Sequence, residues 1–129
     1  MEAVSSIKIK CVSFGHKYGD MTDADFLFDA RVLPNPFYTE ALRDKTGFDK
    51  AVRDFVMDSD ISREYLDGIV NLLVSLLPYY AEKGRQTLTV AFGCTGGRHR
   101  SVTLAIYLAE RLRERGYDAC DEHRDIDKK

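Results

Sequence analysis

A glycine-rich segment, Gly-Cys-Thr-Gly-Gly-Arg-His-Arg-Ser at residues 93–101, constrains the fold of this chain more than any other feature. An apolar, strand-like run at residues 87–92 precedes it, and a run with one apolar face follows it as far as Gly116. This order predicts a strand, a turn and a helix over residues 98–115. The first N–H groups of a helix have no partner inside the helix and carry the positive end of its dipole. The segment therefore predicts a phosphate-binding loop at a strand-to-helix turn.

The side chains of this loop suit an anion, because arginines contribute planar donors that match phosphate oxygens. The candidate ligand-binding residues are Cys94, Thr95, Gly96, Gly97, His99, Arg100 and Ser101. Taken singly, they also fit structural roles: glycine in a tight turn, cysteine as a small buried apolar residue, histidine bound to a carbonyl. Their concurrence at the start of a helix favours the binding loop.

Strand-like and helix-like segments alternate along the chain. Strands are predicted at residues 7–14, 26–30 and 87–92 and within 117–125. Helices are predicted at residues 48–57, from 60 to about 77 or a little beyond, and at 98–115. This alternation predicts an α/β fold: a mostly parallel sheet of about four strands with helices on its faces. Pro78 is expected to bend or end the second helix. The length of 129 residues fits a single domain over residues 1–129.

Charged residues follow three of the predicted strands. Lys17 follows the first, Asp29 and Arg31 lie at the end of the second, and Arg124 follows the last. Parallel strands present their carboxyl ends at one edge of a sheet, where ligands of open α/β folds bind. Lys17 and Arg31 therefore join the candidate ligand-binding residues. Asp29 and Arg31 also fit a structural ion pair at the sheet edge.

Composition narrows the class of protein. No apolar run approaches the ~20 residues of a membrane span, and residues 1–6 do not read as a secretory signal, so we expect a cytoplasmic protein with no membrane partner. Three scattered cysteines fit neither a disulfide framework nor a zinc site, so reduced thiols, no metal and no cofactor are expected. The net charge of −2 argues against a general polyanion binder but permits a local basic face.

Several ungapped blocks resemble the C-terminal domain family of the RNase adapter RapZ. They are Ser-Phe-Gly-His-Lys-Tyr-Gly at 13–19, Asp-Ala-Asp-Phe-Leu-Phe-Asp-Ala-Arg-Val-Leu-Pro-Asn-Pro at 23–36, Thr-Gly-Phe-Asp-Lys at 46–50, the glycine-rich segment, and His-Arg-Asp at 123–125. The blocks stand in the right order and span nearly the whole chain. The resemblance implies an α/β domain that senses an amino-sugar phosphate, glucosamine-6-phosphate, at the glycine turn.

The resemblance also implies a regulatory adapter that binds small RNAs and presents them to an endoribonuclease. The first candidates for contact with RNA phosphates are Lys17, Arg31, Arg98 and Arg124. Full-length relatives begin with a P-loop domain, but no Gly-x-x-x-x-Gly-Lys-Ser/Thr pattern occurs in this chain, so nucleotide binding is not expected of it. The sequence leaves open whether the chain forms a homo-oligomer.

An enzymatic alternative uses the same loop. Cys94, Arg100 and Ser101 reproduce the Cys-x5-Arg-Ser spacing of cysteine-dependent phosphatases, in which a thiolate attacks phosphorus. Cys94 would be the nucleophile, Arg100 would hold the phosphate oxygens, and Asp29 is the candidate general acid. Gly93 stands where those phosphatases usually carry histidine. The sequence favours a binding domain over an enzyme, with the phosphatase as the alternative.

Overall fold

Four parallel β-strands form the centre of the computed structural model, which describes residues 7–128. The strands are β1 (Lys8–Gly15), β2 (Phe26–Asp29), β3 (Thr87–Cys94) and β4 (Asp118–His123). Their order across the sheet is β2-β3-β1-β4, and each neighbouring pair is parallel. The predicted α/β fold with a parallel sheet of about four strands is therefore confirmed.

Four α-helices connect these strands or follow them. They are α1 (Glu40–Arg43), α2 (Lys50–Met57), α3 (Asp60–Glu82) and α4 (Arg100–Glu114). Asp49 caps α2 by accepting a 3.0 Å hydrogen bond from the Ala51 N–H, and Ser59 caps α3 by accepting one of 3.3 Å from the Ser62 N–H. The single turn of α1 is too short to produce a helical period, and the sequence did not predict it.

The core lies between the sheet and the apolar faces of α3 and α4. Helix α4 packs against β1, β3 and β4, and its fully buried apolar residues are Val102, Leu104, Ala105, Leu108, Ala109 and Leu112. Helix α3 adds Leu73 and Leu77, and its Tyr80 ring lies edge-on to Phe26 of β2 at 6.2 Å between centroids. These contacts fix the sheet and hold the amino end of α4 beside the end of β3.

Three helix boundaries differ from the predicted ones, and the first is the start of α2, which lies at Lys50 instead of residue 48. Helix α4 begins at Arg100, two residues later than predicted, because His99, with a φ of −117° and a ψ of −78°, still belongs to the turn that Gly97 (φ +76°) opens. Helix α3 continues through Pro78 to Glu82, five residues beyond the predicted end near Leu77. Proline removes one hydrogen bond near the end of this helix, and the packing of Tyr80 against the core continues beyond that point. Within residues 7–128, no helix has the length and apolarity to cross a membrane.

The strand register aligns the carboxyl ends of the strands at one edge. Gly15 pairs with Cys94, and Asp29 pairs with Gly93. On the other side of β1, Ser13 pairs with His123. The segments that follow the four strands therefore emerge together, as the parallel arrangement predicts.

Candidate functional site

The β3–α4 turn, residues 95–99, packs directly against the end of β1. A Cβ atom added to Gly15 would lie 2.5 Å from the carbonyl carbon of Gly96. A Cβ atom added to Gly97 would lie 2.5 Å from the backbone nitrogen of Gly15, and Gly97 also has a positive φ. Side chains do not fit at these distances, so Gly15 and Gly97 are required by the backbone path.

The backbone N–H groups of this turn and of the start of α4 lack acceptors among residues 7–128. None of the N–H groups of residues 95–102 donates a hydrogen bond to any residue in the described range 7–128. The first such bond of α4 is the 3.0 Å bond from the Thr103 N–H to the His99 carbonyl. Amides at a helix start that lack partners favour an anion, because the helix dipole adds to their partial charge.

Cys94 and Ser101 lie at the base of the turn. The Cys94 Sγ and Ser101 Oγ atoms are 3.1 Å apart and form a buried hydrogen bond. Cys94 is only 2% exposed, and Ser101 is fully buried. The thiol and the hydroxyl therefore satisfy each other beneath the turn.

The guanidinium of Arg100 holds the loop that follows β2. Its Nη1 atom donates to the carbonyl oxygens of Arg31 at 3.0 Å and of Leu33 at 3.3 Å. The residue is buried, and its Nε atom has no hydrogen-bond partner among the described residues. Arg100 thus has a structural role and retains one unsatisfied donor.

His99 connects the turn to the segment after α1. Its Nε2 atom lies 2.7 Å from the carbonyl oxygen of Lys45 and must donate, because a carbonyl can only accept. Burial lowers the pKa of His99, and the charges of Arg98 and Arg100 lower it further. His99 is therefore a neutral residue that holds Lys45 beside the turn.

A cleft of about 430 Å³ opens at this edge of the sheet. This volume lies within the range of small-molecule sites, roughly 300–1,000 Å³. The predicted residues that line it are Lys17, Cys94, Thr95, Gly96, Arg98, His99 and Arg100. Gly97, Ser101, Arg31 and Arg124 do not line it. The structure thus brings most of the predicted loop residues and Lys17 to one cavity.

Seven further residues that are not among the predicted site residues also line the cleft. They are Tyr18, Asn35, Phe37, Tyr38, Arg43, Asp44 and Lys128. The stiff Pro-Asn-Pro triplet was the available signal for three of them, since it begins only five residues after the end of β2. Arg43, Asp44 and Lys128 come from segments whose approach to the cleft depends on tertiary packing.

The cleft carries an excess of positive charge. Its basic side chains are Lys17, Arg43, Arg98, Arg100 and Lys128, and its one acidic side chain is Asp44. Only Lys128 is in an ion pair with a carboxylate within residues 7–128. Converging cations in a concave site attract anions more strongly than the same charges on a flat surface.

The ring of Tyr18 lies near two of these cations. The Lys17 Nζ atom lies 5.3 Å and the Lys128 Nζ atom 5.1 Å from the centroid of its ring. The Tyr18 hydroxyl is buried and has no partner among residues 7–128. Buried polar groups nearly always have a hydrogen-bond partner, so this hydroxyl and the Arg100 Nε are two buried donors beside the cleft that the described residues leave unused.

Asp29 and Arg31 form a two-point ion pair with each other. The Arg31 Nε and Nη2 atoms donate to the Asp29 carboxylate at 3.0 and 2.9 Å. The hydrogen bond from the Arg31 side chain lowers the pKa of Asp29 to about 2, although burial opposes this shift. Asp29 is consequently ionised at neutral pH and holds no proton for a leaving group.

The side chain of Arg124 is held by hydrogen bonds next to the cleft. Its Nη2 atom donates to the Asp125 carboxylate at 2.8 Å and to the Gly19 carbonyl at 2.5 Å. Arg124 and Arg31 therefore both have carboxylate partners, whereas Lys17 and Arg98 have none among the described residues. The predicted RNA-contact residues thus fall into a paired set and an unpaired set.

Comparisons with known proteins place this fold in a family. A model of the RapZ C-terminal domain matches residues 7–127. The chain is 51% identical over 120 residues to a nucleotide-binding protein of Clostridioides difficile, covering 93% of this chain and 42% of that protein. A nucleotide-binding protein of Carboxydothermus hydrogenoformans is 44% identical over 124 residues, covering 96% of this chain and 43% of that protein. The chain spans about two-fifths of the length of these relatives. It belongs to the RapZ C-terminal domain family.

Proposed function

We propose that this chain is a regulatory domain that binds a phosphorylated amino sugar, glucosamine-6-phosphate, in the cleft at the carboxyl ends of β1 and β3. The proposal rests on the backbone amides of residues 95, 96 and 98–100, which donate to no residue within 7–128 and line the cleft together with cations that have no carboxylate partner. A phosphate there would accept bonds from backbone N–H groups and from Arg98 or Lys17. The family assignment supports the same ligand class.

The single carboxylate of the cleft supports an amino sugar over a neutral one. Asp44 is exposed and lines the cleft with five basic residues. An ammonium group on the ligand would pair with Asp44, while the phosphate would occupy the cationic part. The exposed ring of Phe37 provides an apolar surface for the sugar between them.

Titration calorimetry with glucosamine-6-phosphate tests the proposal. Lys17→Ala should weaken binding about tenfold, because a charge-assisted contact to phosphate contributes about 1.5–3 kcal/mol. Lys50→Ala is the matched control, since Lys50 pairs with Asp54 outside the cleft. Unphosphorylated glucosamine should bind much more weakly than the phosphate. Absence of binding by the wild type, or equal effects of both substitutions, would contradict the proposal.

RNA contact at the rim of the cleft is the second part of the proposal. Phe37 is 51% and Tyr38 79% exposed, and the Arg43 guanidinium lies 5.3 Å from the centroid of the Phe37 ring. Exposed aromatic rings beside cations suit unstacked bases of single-stranded RNA. Presentation of that RNA to an endoribonuclease would follow the role implied for the family. The unpaired Lys17 and Arg98 are the leading contacts for RNA phosphates.

Fluorescence anisotropy with a labelled small RNA tests this second part. The affinity should fall steeply with salt if several phosphates are contacted, and Lys17→Ala should reduce that slope by about one. Arg31→Ala should change the slope less, because Arg31 is already paired with Asp29. A flat salt response would refute RNA binding through this face.

One observation favours the phosphatase alternative. The 3.1 Å contact between Cys94 Sγ and Ser101 Oγ brings together the first and last residues of the Cys-x5-Arg-Ser spacing. Two observations oppose it: Arg100 donates to backbone carbonyls, and Asp29 is ionised by its pairing with Arg31. A binding domain therefore fits the geometry better.

Hydrolysis of a generic aryl phosphate separates the two functions. A thiolate mechanism requires activity in the wild type and none in Cys94→Ser. The proposed binding domain predicts no turnover above background in either protein. Activity that survives in Cys94→Ser would come from another group or a contaminant and would eliminate the thiolate mechanism.

A further inference from the structure

The segment after β4, residues 124–128, is fixed to both components of the cleft. The Arg124 N–H donates to the Ser13 carbonyl of β1 at 3.0 Å. The Arg98 Nε of the β3–α4 turn donates to the Ile126 carbonyl at 3.2 Å. This segment therefore lies across the end of β1 and reaches the turn.

Asp125 is the centre of this attachment. Its side chain is fully buried and accepts hydrogen bonds from the Gly15 N–H at 2.8 Å, from Arg124, and from the Lys128 Nζ at 2.7 Å. Burial alone would raise the pKa of Asp125, but hydrogen bonds from Arg124, Gly15 and Lys128 outweigh burial and hold it at about 2. A buried carboxylate with this set of donors keeps its charge and fixes the groups around it.

Lys128 extends from this anchor into the cleft. It is half-exposed, lines the cleft, and places its ammonium group beside the Tyr18 ring that also contacts Lys17. Both ammonium groups lie near this ring, so an anion beside it would be attracted by both of them. The buried Tyr18 hydroxyl, which lacks a partner within residues 7–128, is a further donor in the same region.

We infer that Lys128 contacts the phosphate of the bound sugar, that Asp125 is a positioning residue for Lys128, and that residues 124–128 form a wall of the ligand site. This inference rests on the proposed function, because it names a contact within the same cleft. The phosphate would become a second acceptor for the Lys128 ammonium, which Asp125 holds in place. Ligand binding would consequently stabilise residues 124–128 against local opening.

Titration of glucosamine-6-phosphate into the wild-type chain and the variants Lys128→Ala, Lys128→Arg and Lys50→Ala tests the contact. Lys128→Ala should weaken binding about five- to tenfold and lower the salt dependence of the affinity. Lys128→Arg should retain most of the affinity, and Lys50→Ala should match the wild type. The affinity for unphosphorylated glucosamine should be the same in all four proteins.

Asp125→Asn tests positioning. This variant should weaken sugar-phosphate binding, and Lys128→Ala in the Asp125→Asn background should cost much less than in the wild type, since both changes act through one ammonium group. Thermal unfolding identifies conditions under which every variant is folded. If Asp125→Asn does not fold, hydrogen exchange of residues 124–128 in the wild type decides the question, because ligand should slow it several-fold.

The outcomes separate this inference from the proposed function. No sugar-phosphate binding by the wild type would reject the proposed function and this inference together. Binding by the wild type that Lys128→Ala leaves unchanged would reject the inference alone. Loss of RNA affinity without loss of sugar-phosphate affinity in Lys128→Ala would also overturn it and would assign Lys128 to RNA.

Discussion

The Asp125 carboxylate accepts a 2.8 Å hydrogen bond from the Gly15 N–H, 110 residues earlier in the chain. Gly15 in turn contacts Gly96 and Gly97 so closely that no side chain fits between them. The last segment, the end of β1 and the turn before α4 are thereby joined in one structure. Substitutions at these contacts separate the stability of the domain from its binding of a ligand.

Gly97→Ala should destabilise the fold, whereas Gly96→Ala should not. Alanine at 97 would require a positive φ and would place its Cβ 2.5 Å from the Gly15 nitrogen, at a cost of about 2–4 kcal/mol. Gly96 has no atom within 4 Å of an added Cβ, so its substitution should change the free energy of unfolding by less than about 1 kcal/mol. Urea denaturation followed by circular dichroism measures both, and equal effects would contradict the close approach.

His99 should make the domain less stable as the pH falls from about 7 to 5. The unfolded chain takes up a proton at the ordinary histidine pKa of about 6.5, but the folded protein does so only at lower pH, because burial lowers the pKa of His99. Its stabilising effect is therefore present above pH 6.5 and is lost as the pH falls.

His99→Gln keeps a donor for the Lys45 carbonyl and does not titrate. The variant should show a smaller loss of unfolding free energy between pH 7 and pH 5 than the wild type. Urea denaturation at pH 7, 6 and 5 gives the two slopes. Parallel slopes would show that His99 is not the neutral residue that this structure describes.

Asp44 should determine the preference for an amino sugar over a neutral sugar. The wild type should bind glucosamine-6-phosphate about threefold or more tightly than glucose-6-phosphate, and Asp44→Asn should remove this difference. Asp58→Asn is the control, because Asp58 is likewise an exposed residue at a helix carboxyl end but lies outside the cleft. Retained discrimination in Asp44→Asn would place the amino group elsewhere.

Phe37 should support the sugar ring through its exposed face. Phe37→Ala should weaken sugar-phosphate binding about fivefold, corresponding to about 1 kcal/mol of lost apolar contact. Phe48→Ala provides the comparison, since Phe48 is 59% exposed against 51% for Phe37 and does not line the cleft. Calorimetry measures sugar-phosphate binding by both variants. Equal losses of affinity would contradict a specific contact between Phe37 and the sugar ring.

The sequence predicts the sheet well because its strands carry local signals. Runs of apolar residues mark β1 and β3, and glycines or prolines follow β1, β2 and β3 at the same edge. The parallel arrangement then implies that Lys17 and the loop at 93–101 converge, as they do in the cleft. This convergence follows from the direction of the strands alone.

The remainder of the cleft depends on contacts between distant segments. Arg43 reaches it because its Nε donates to the Phe37 carbonyl at 2.8 Å, and Lys128 because Asp125 is buried against Gly15. Periodicity does not reveal such contacts. The ion pair of Asp29 with Arg31 joins residues two positions apart, which explains why its structural interpretation was visible in the sequence.

The cleft is built from segments that follow the strands, while the core is built from the strands and the inner faces of α3 and α4. Changes at positions such as Phe37, Asp44 or Lys128 can therefore accumulate during evolution without loss of foldability. The side chains of the cleft can thus diverge among related domains that keep one scaffold. Gly15 and Gly97 lack that freedom, because a side chain at either position would require a different backbone path around it.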